Sequence, residues 1–557
     1  MSGRYLLTKR SASFAWLLLL AILVACSQIH DLETQGIIAA PPTLCTSAPY
    51  ADFNADGYDD LIVGVKDYGD YHDEEGAGVI RSFRGSLAGI NKSHQLWGYS
   101  SSWNSIFETD ILIKSMGAAL VSGDFDGDGY CDLALGAPTS GNFVPNKYNL
   151  VATAYGAVGV LYSNSDGLQN PETQFWTQAS PGALGEAEYG DQFGKTLAAG
   201  DFNADGYTDL AIGIPYEDTD RVIAVPGENP PKYLSSGAVQ ILYGTASGLS
   251  SLGDQLWTQG ANLLGSPAFR KEFGRSLSTG DYNGDGYTDL AVGSTGNYHN
   301  NETNPGEVNI IYGSSSGLTQ SNNQLWSQKA AGVKGLYEAG DFFGYALSSG
   351  DFNGDGFSDL AVGVPGEDQG SKENTGAVNI LYGSLFGLSA SGDQLWTQKS
   401  SGIKGVAEAD DHFGYALKAA DFNGDGFSDL AIGVPKEDVG SLENAGAINI
   451  LYGTKGGLSS AGNTLFTANS SGLDSEARAS SFFAHSLGAA DFNGDTLMDL
   501  SVITTGAYSG EEAVTLFYGS VSPGLSSNQS QVISKTTVDV SAETYYSMNG
   551  RFAQTVY

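Results

Sequence analysis

Cationic side chains are scarce in this 557-residue chain, where 26 lysines and arginines stand against 63 aspartates and glutamates for a net charge of −37. Such a balance excludes nucleic acid and anionic lipid as partners of the folded body, since both are polyanions. Methionine occurs four times and histidine six. The histidines, His30, His72, His94, His299, His412 and His485, are scattered, His-Glu-x-x-His does not occur, and the single Gly-x-Ser-x-Gly match, Gly313 to Gly317, has no histidine within ten residues. The familiar metallohydrolase signature is therefore missing, a lone Gly-x-Ser-x-Gly in a serine-rich turn is a weak signal, and His412 and His485, beside the first strand of their units, read as packing residues. What is plentiful is glycine, at 76 residues, with 25 phenylalanines and 29 tyrosines. Many tight turns between short aromatic and β-branched runs make an all-β composition.

One acidic loop recurs seven times. It opens at Asp52, Asp124, Asp201, Asp281, Asp351, Asp421 and Asp491, at intervals of 72, 77, 80, 70, 70 and 70 residues. A unit of about 70 residues is thus repeated, as in solenoids and propellers. In the fifth unit 343–347 reads as a strand, 360–364 as a second one stopped by Pro365, 376–383 as a third and 394–397 as a shorter fourth. Four antiparallel strands in each of seven units predict an all-β, seven-bladed β-propeller over residues 49–557. The first unit lacks the strand before its loop, while 551–557 matches 481–487 in pattern. The C-terminal strand is therefore expected to complete the first blade and pair the open sheet edges. One bulky residue per unit, Trp97, Trp176, Trp257, Trp326, Trp396, Phe466 and Ile533, suits packing between blades better than sugar stacking.

The loops follow Asp-x-Asp/Asn-x-Asp-Gly-x-x-Asp, which sets oxygen donors at alternate residues of a tight turn, with a backbone carbonyl expected at position 7. The expected ligand sets are Asp52, Asn54, Asp56, Tyr58, Asp60; Asp124, Asp126, Asp128, Tyr130, Asp132; Asp201, Asn203, Asp205, Tyr207, Asp209; and Asp281, Asn283, Asp285, Tyr287, Asp289. They continue as Asp351, Asn353, Asp355, Phe357, Asp359; Asp421, Asn423, Asp425, Phe427, Asp429; and Asp491, Asn493, Asp495, Asp499. Hard oxygen donors without nitrogen or sulfur suit Ca²⁺, and glycine at position 6 permits the sharp turn. An EF-hand is excluded, because position 12 is aliphatic in every copy, as in Val362 and Ile432. Thr496 replaces the glycine of the seventh loop; a β-branched residue disfavours positive φ, so that site is expected to be weak or empty. A divalent cation in every loop would bring −37 to −23.

Residues 1–26 read as an address, with Arg4, Lys9 and Arg10 before an apolar stretch at 11–25 that is short for a permanent span. With Leu23-Val24-Ala25-Cys26 it resembles a bacterial lipoprotein signal, which implies a lipidated Cys26 after cleavage; a plain secretory signal is the alternative. Ser27, by the same resemblance, implies the outer membrane. Residues 27–48, with Pro41 and Pro42, read as a flexible tether. Cys45 and Cys131 can pair in an oxidising compartment, or stand as two free thiols.

Phe-Gly at the first strand, the acidic loop, and Gly136-Ala137-Pro138 after the second strand resemble the FG-GAP repeat of integrin alpha-subunit propellers and of many bacterial surface proteins. Gly213-Ile214-Pro215, Gly363-Val364-Pro365 and Gly433-Val434-Pro435 keep the third motif, whereas Gly64-Val65-Lys66, Gly293-Ser294-Thr295 and Ile503-Thr504-Thr505 depart from it. The resemblance implies structural calcium on the lower face and ligands on the opposite one. That upper face carries Glu217, Asp218, Glu367, Asp368, Glu437 and Asp438, the segments 186–191 and 338–341, and the longest connections, 138–155 and 216–236; a merely solvated acidic rim is the alternative. The expectation is a monomeric, calcium-stabilised surface propeller that meets the membrane through its lipid anchor and binds a protein or glycan. An envelope-assembly component and a hydrolase using the paired acids are the alternatives.

Overall fold

In the fifth unit the chain runs through strands Leu347–Gly350, Asp359–Val364, Ala377–Tyr382 and Ser389–Trp396, paired in that order. The computed structural model describes residues 51–65, 78–97, 111–146, 149–218, 235–296, 305–506, 512–522, 524–534 and 555–556. Seven four-stranded antiparallel sheets of this kind form a seven-bladed β-propeller, and no helix occurs among the described residues. The second and third strands are buried almost throughout because neighbouring blades cover both faces, so they read as continuous apolar runs. The fourth strand lies outermost and mixes buried with exposed positions.

Two strand boundaries differ from the sequence reading. The first strand begins at Leu347 rather than at 343, because Phe342 (φ 59°) and Gly344 (φ 88°) bend the chain there. Phe343 is instead a joint: fully buried, it bridges Gly306 of the preceding blade, and its N–H donates to the Pro305 carbonyl at 2.7 Å. The fourth strand is longer than expected, since an irregularity between Ile380 and Tyr382 lets it pair as far back as Ser389.

The ring closes as the chain ends suggest. Thr555–Val556 pairs antiparallel with the first-blade strand Leu61–Val65, matching Val63 to Val556 and Gly64 to Thr555. Two further fastenings hold the same seam. The Asp59 N–H donates to the Asp491 carbonyl at 3.0 Å and the Asp491 N–H to Asp59 Oδ2 at 2.7 Å, while Ile90 and Gln531 exchange bonds of 3.1 and 2.7 Å.

The tryptophan row is structural. Trp176, Trp257, Trp326 and Trp396 each donate to the glutamine two residues earlier, and Gln174, Gln255, Gln324 and Gln394 each donate to a leucine carbonyl of the next blade at 3.0–3.1 Å. The connection 138–155 is a hairpin, Gly141–Asn146 with Asn149–Ala154, extended by Ile111–Leu112. Cys26, the tether and Cys45 lie outside the described residues; Cys131 is buried and disulfide-bonded.

Candidate functional site

In blades two to seven the acidic loop joins the first strand to the second, in the first blade it leads into the second, and everywhere its position-2 aromatic anchors it. Phe53, Phe125, Phe202, Tyr282, Phe352, Phe422 and Phe492 are all at most 1% exposed, and a fully buried ring is worth about 1.5–3 kcal/mol. Above that anchor the chain wraps the position-1 carboxylate. In the fifth loop Asp351 Oδ1 accepts from the N–H of Gly354 at 2.7 Å and Oδ2 from that of Gly356 at 2.9 Å. Asn353 Oδ1 accepts from Asp355 N–H at 2.8 Å, and Asp355 Oδ1 from Phe357 N–H at 3.1 Å. The position-6 bond to the first aspartate recurs in the other loops, at 2.8 Å to Asp52, 3.0 Å to Asp124, 2.9 Å to Asp201, 3.0 Å to Asp281, 2.9 Å to Asp421 and 2.7 Å to Asp491. Donors spent on one side of each carboxylate orient the remaining lone pairs into a common concavity. In the second loop, where position 3 is also an aspartate, Asp124, Asp126 and Asp128 each place one oxygen within 4.8 Å of the others.

The position-9 aspartate does more than close that concavity. Asp359 is fully buried; Oδ2 accepts from Phe352 N–H at 3.0 Å, and Oδ1 from Gly383 N–H at 2.9 Å, at the end of the third strand. Asp132, Asp209, Asp289, Asp429 and Asp499 repeat both bonds, and Asp60 binds Gly85. Burial first, then the neighbouring position-1 and position-5 carboxylates, pushes Asp60 and Asp359 up to about 7 and Asp209, Asp289, Asp429 and Asp499 up to about 8. Carboxylates that resist ionising for these reasons are what a divalent cation relieves, so the donor set fits a hard metal.

Position 7 has a role that the ligand pattern hides. The side chains of Tyr58, Tyr207, Phe357, Phe427 and Leu497 pack over position 4 of the preceding blade's loop. A Cβ at Gly127, Gly284, Gly354 or Gly424 would come within 2.5–2.6 Å of Tyr207, Phe357, Phe427 or Leu497, and one at Gly494 within 2.8 Å of Tyr58. Next to it, the position-8 N–H donates to the position-1 carbonyl of the preceding loop, as from Ser428 to Asp351 at 2.8 Å and from Thr208 to Asp124 at 2.9 Å. The acidic loops therefore staple blade to blade as well as presenting oxygens. The recurrent aromatic at position 7 was the available signal.

The seventh loop keeps this geometry despite Thr496, which adopts φ 71°, with its N–H 2.7 Å from Asp491 Oδ2. No atom lies within 4 Å of a Cβ built at the equivalent Gly57, Gly206, Gly286, Gly356 or Gly426, so the cost is one of backbone conformation alone. A left-handed non-glycine residue costs about 1–2 kcal/mol. Thr496→Gly should therefore raise the melting temperature by about 1 °C, at roughly 2.1 cal/mol/K of unfolding entropy per residue. A lower melting temperature in the variant, scanned at fixed calcium, would show that threonine contributes something the backbone does not.

On the upper face the paired acids are not free side chains. Glu217, Glu367 and Glu437 are 5–6% exposed and accept from Gln178, Gln328 and Gln398 at 2.6, 2.5 and 2.5 Å. Asp218 accepts from Ser235, Asp368 from Asn374 and Asp438 from Asn444 at 2.8–2.9 Å, capping their own connections. Burial, followed by these glutamates, pushes Asp191 up to about 8 and Asp341 and Asp411 up to about 7. What remains accessible is a groove of about 450 Å³ whose lining includes Glu186, Glu188, Thr258 and Pro267. His412 is half-buried, 6.4 Å from the Tyr415 ring, and held down to about 4 by burial and Lys436, which suits packing.

Five segments of the chain, residues 116–161, 193–242, 273–310, 343–381 and 413–451, match the FG-GAP repeat. They fall on blades two to six. The chain is 32% identical over 260 residues to integrin alpha-PS2 of Drosophila melanogaster, covering 46% of this chain and 15% of that protein. It is 33% identical over 254 residues to integrin alpha pat-2 of Caenorhabditis briggsae, covering 45% and 18%. Similarity extends to the phosphatidylinositol-glycan-specific phospholipase D of Bos taurus, 36% over 165 residues, covering 29% and 18%. The chain thus spans less than a fifth of the length of these relatives.

Proposed function

We propose that this chain, an integrin-alpha-like β-propeller of FG-GAP repeats, is a calcium-stabilised, lipid-anchored surface module that binds a protein or glycan on the face opposite its acidic loops. The observation that carries the reading is the division of labour between the two ends. At one end, seven loops of one geometry present oxygens and fasten neighbouring blades; Asp at positions 1 and 5, Asn at position 3 (Asp126 in the second loop), the position-7 carbonyl and the position-9 carboxylate would hold Ca²⁺ there. A bound cation supplies charge neutralisation between blades and no chemistry. At the other end, Leu336 (65% exposed), Val406 (66%) and Tyr189 (75%) stand beside exposed Glu186 and Glu338, a mixture of apolar and charged surface suited to recognition. Cys26 would carry the lipid, making the outer membrane or cell surface its place of work.

Affinity capture with residues 27–557 tests this. Capture should require calcium and fail when Glu186→Lys and Glu338→Lys are combined; capture that survives both changes would reduce the acidic rim to a solvated one. Glu217 is unsuitable for reversal because it is buried against Gln178. The similarity to a phospholipase covers 18% of that enzyme, so a hydrolase reading stands on turnover: cleavage of a phosphatidylinositol-glycan by the purified chain would replace the binding role.

A further inference from the structure

The first strands of blades two to seven surround a central cavity of about 340 Å³, narrowed by Leu120, Leu197, Leu277, Leu347, Leu417 and Leu487. The residues two positions earlier lie in or just before the first residues of these strands, at the end away from the acidic loops. These are Ala118, Lys195, Arg275, Tyr345, Tyr415 and His485. The last four form a continuous ladder across blades four to seven. The Arg275 guanidinium lies 5.7 Å from the Tyr345 ring centre, Tyr345 is 4.9 Å from Tyr415, and Tyr415 is 5.1 Å from His485 with its hydroxyl 3.3 Å from Nε2. In a chain of net charge −37 no carboxylate occupies this rung in any of the six blades. Glu272 is the acid that touches Arg275, at 3.4 Å, which is long for a charge-assisted bond. It is also engaged by the Tyr216 hydroxyl at 3.0 Å and by Thr295.

We infer that the upper mouth of the central channel is an oxyanion site, with Arg275 as its principal ligand and the Tyr345 and Tyr415 hydroxyls as supporting donors. The guanidinium fork matches a carboxylate or sulfate in a way that a point charge does not. Arg275 is 29% exposed at its side chain, within reach of an anion arriving along the axis. The leucine ring lies beneath it, in a cavity that Ser278, Ser348, Ser349 and Lys418 also line. A cationic guest would meet Lys195 and Arg275 instead. The inference takes its context from the upper-face reading but not its test, since a small anion can be titrated whether or not a macromolecular ligand is captured.

The test titrates the purified full chain, in calcium, with sodium glucuronate, sodium sulfate and tetramethylammonium chloride by calorimetry. Glucuronate, sulfate or both should bind, and Arg275→Gln should weaken that binding about tenfold, the loss typical of one charge-assisted pair. Preference for glucuronate would assign a carboxylate, equal binding a general oxyanion. If Arg275→Gln fails to fold, Tyr345→Phe and Tyr415→Phe keep the ring ladder and should each weaken binding severalfold. Binding of neither anion, an effect equal in the variants and the parent, or binding of tetramethylammonium alone would overturn the assignment.

Discussion

Chelating divalent cations should lower the melting temperature by about 15 °C. The magnitude follows from counting loops: at a hundredfold excess over its dissociation constant each bound ion contributes about 2.7 kcal/mol. A chain of this size unfolds with an entropy of roughly 1 kcal/mol/K, so six filled loops move the midpoint by about that much. The mechanism is specific to this fold. Asp359 and its counterparts are buried and pressed together, and the same loops carry the blade-to-blade bonds; losing the ion strains the seams as well as the sites. Asp351→Asn, which disables one loop, should cost roughly a sixth of the total, about 2–3 °C on the same scale. Thermal scans in excess chelator and in 10 mM calcium decide the matter. Superimposable curves would remove calcium from the account.

Deleting residues 548–557 should lower the melting temperature by about 5 °C and make the protein aggregate. At about 1.5–3 kcal/mol for each apolar side chain a strand buries, loss of a terminal segment that carries Phe552, Val556 and Tyr557 is worth roughly 5 kcal/mol, and the unpaired Leu61–Val65 becomes an open, fully apolar sheet edge. The clasp between Asp59 and Asp491 and the pair between Ile90 and Gln531 keep the ends of the ring together, so the truncated protein should still melt cooperatively. Calorimetry with light scattering separates the two effects. A truncated chain that melts like the parent without scattering would show that the terminal strand does not close the ring.

Much of this was legible in the chain itself because a repeat exposes its own constraints. Period, strand order and closure follow from the spacing of Asp52 to Asp491 and the likeness of 551–557 to 481–487. The upper face was less legible. Glu217, Glu367 and Glu437 look like a ligand-binding rim in sequence, yet each is buried against a glutamine 39 residues earlier in the preceding blade, a separation that no local pattern reveals. Phe343 likewise reads as the start of a strand, and only the Gly306 bridge shows it to be a joint between blades.

The sequence alone determined the number of blades, the seven acidic loops and the seam, since each depends on residue type at a fixed spacing along the chain. Tertiary structure alone decided which acids face solvent, which aromatics clasp a neighbouring loop, and that Arg275, Tyr345, Tyr415 and His485 meet around one axis. Those are contacts between units 70 residues apart, brought together only when apolar faces on both sides of every blade drive the ring shut.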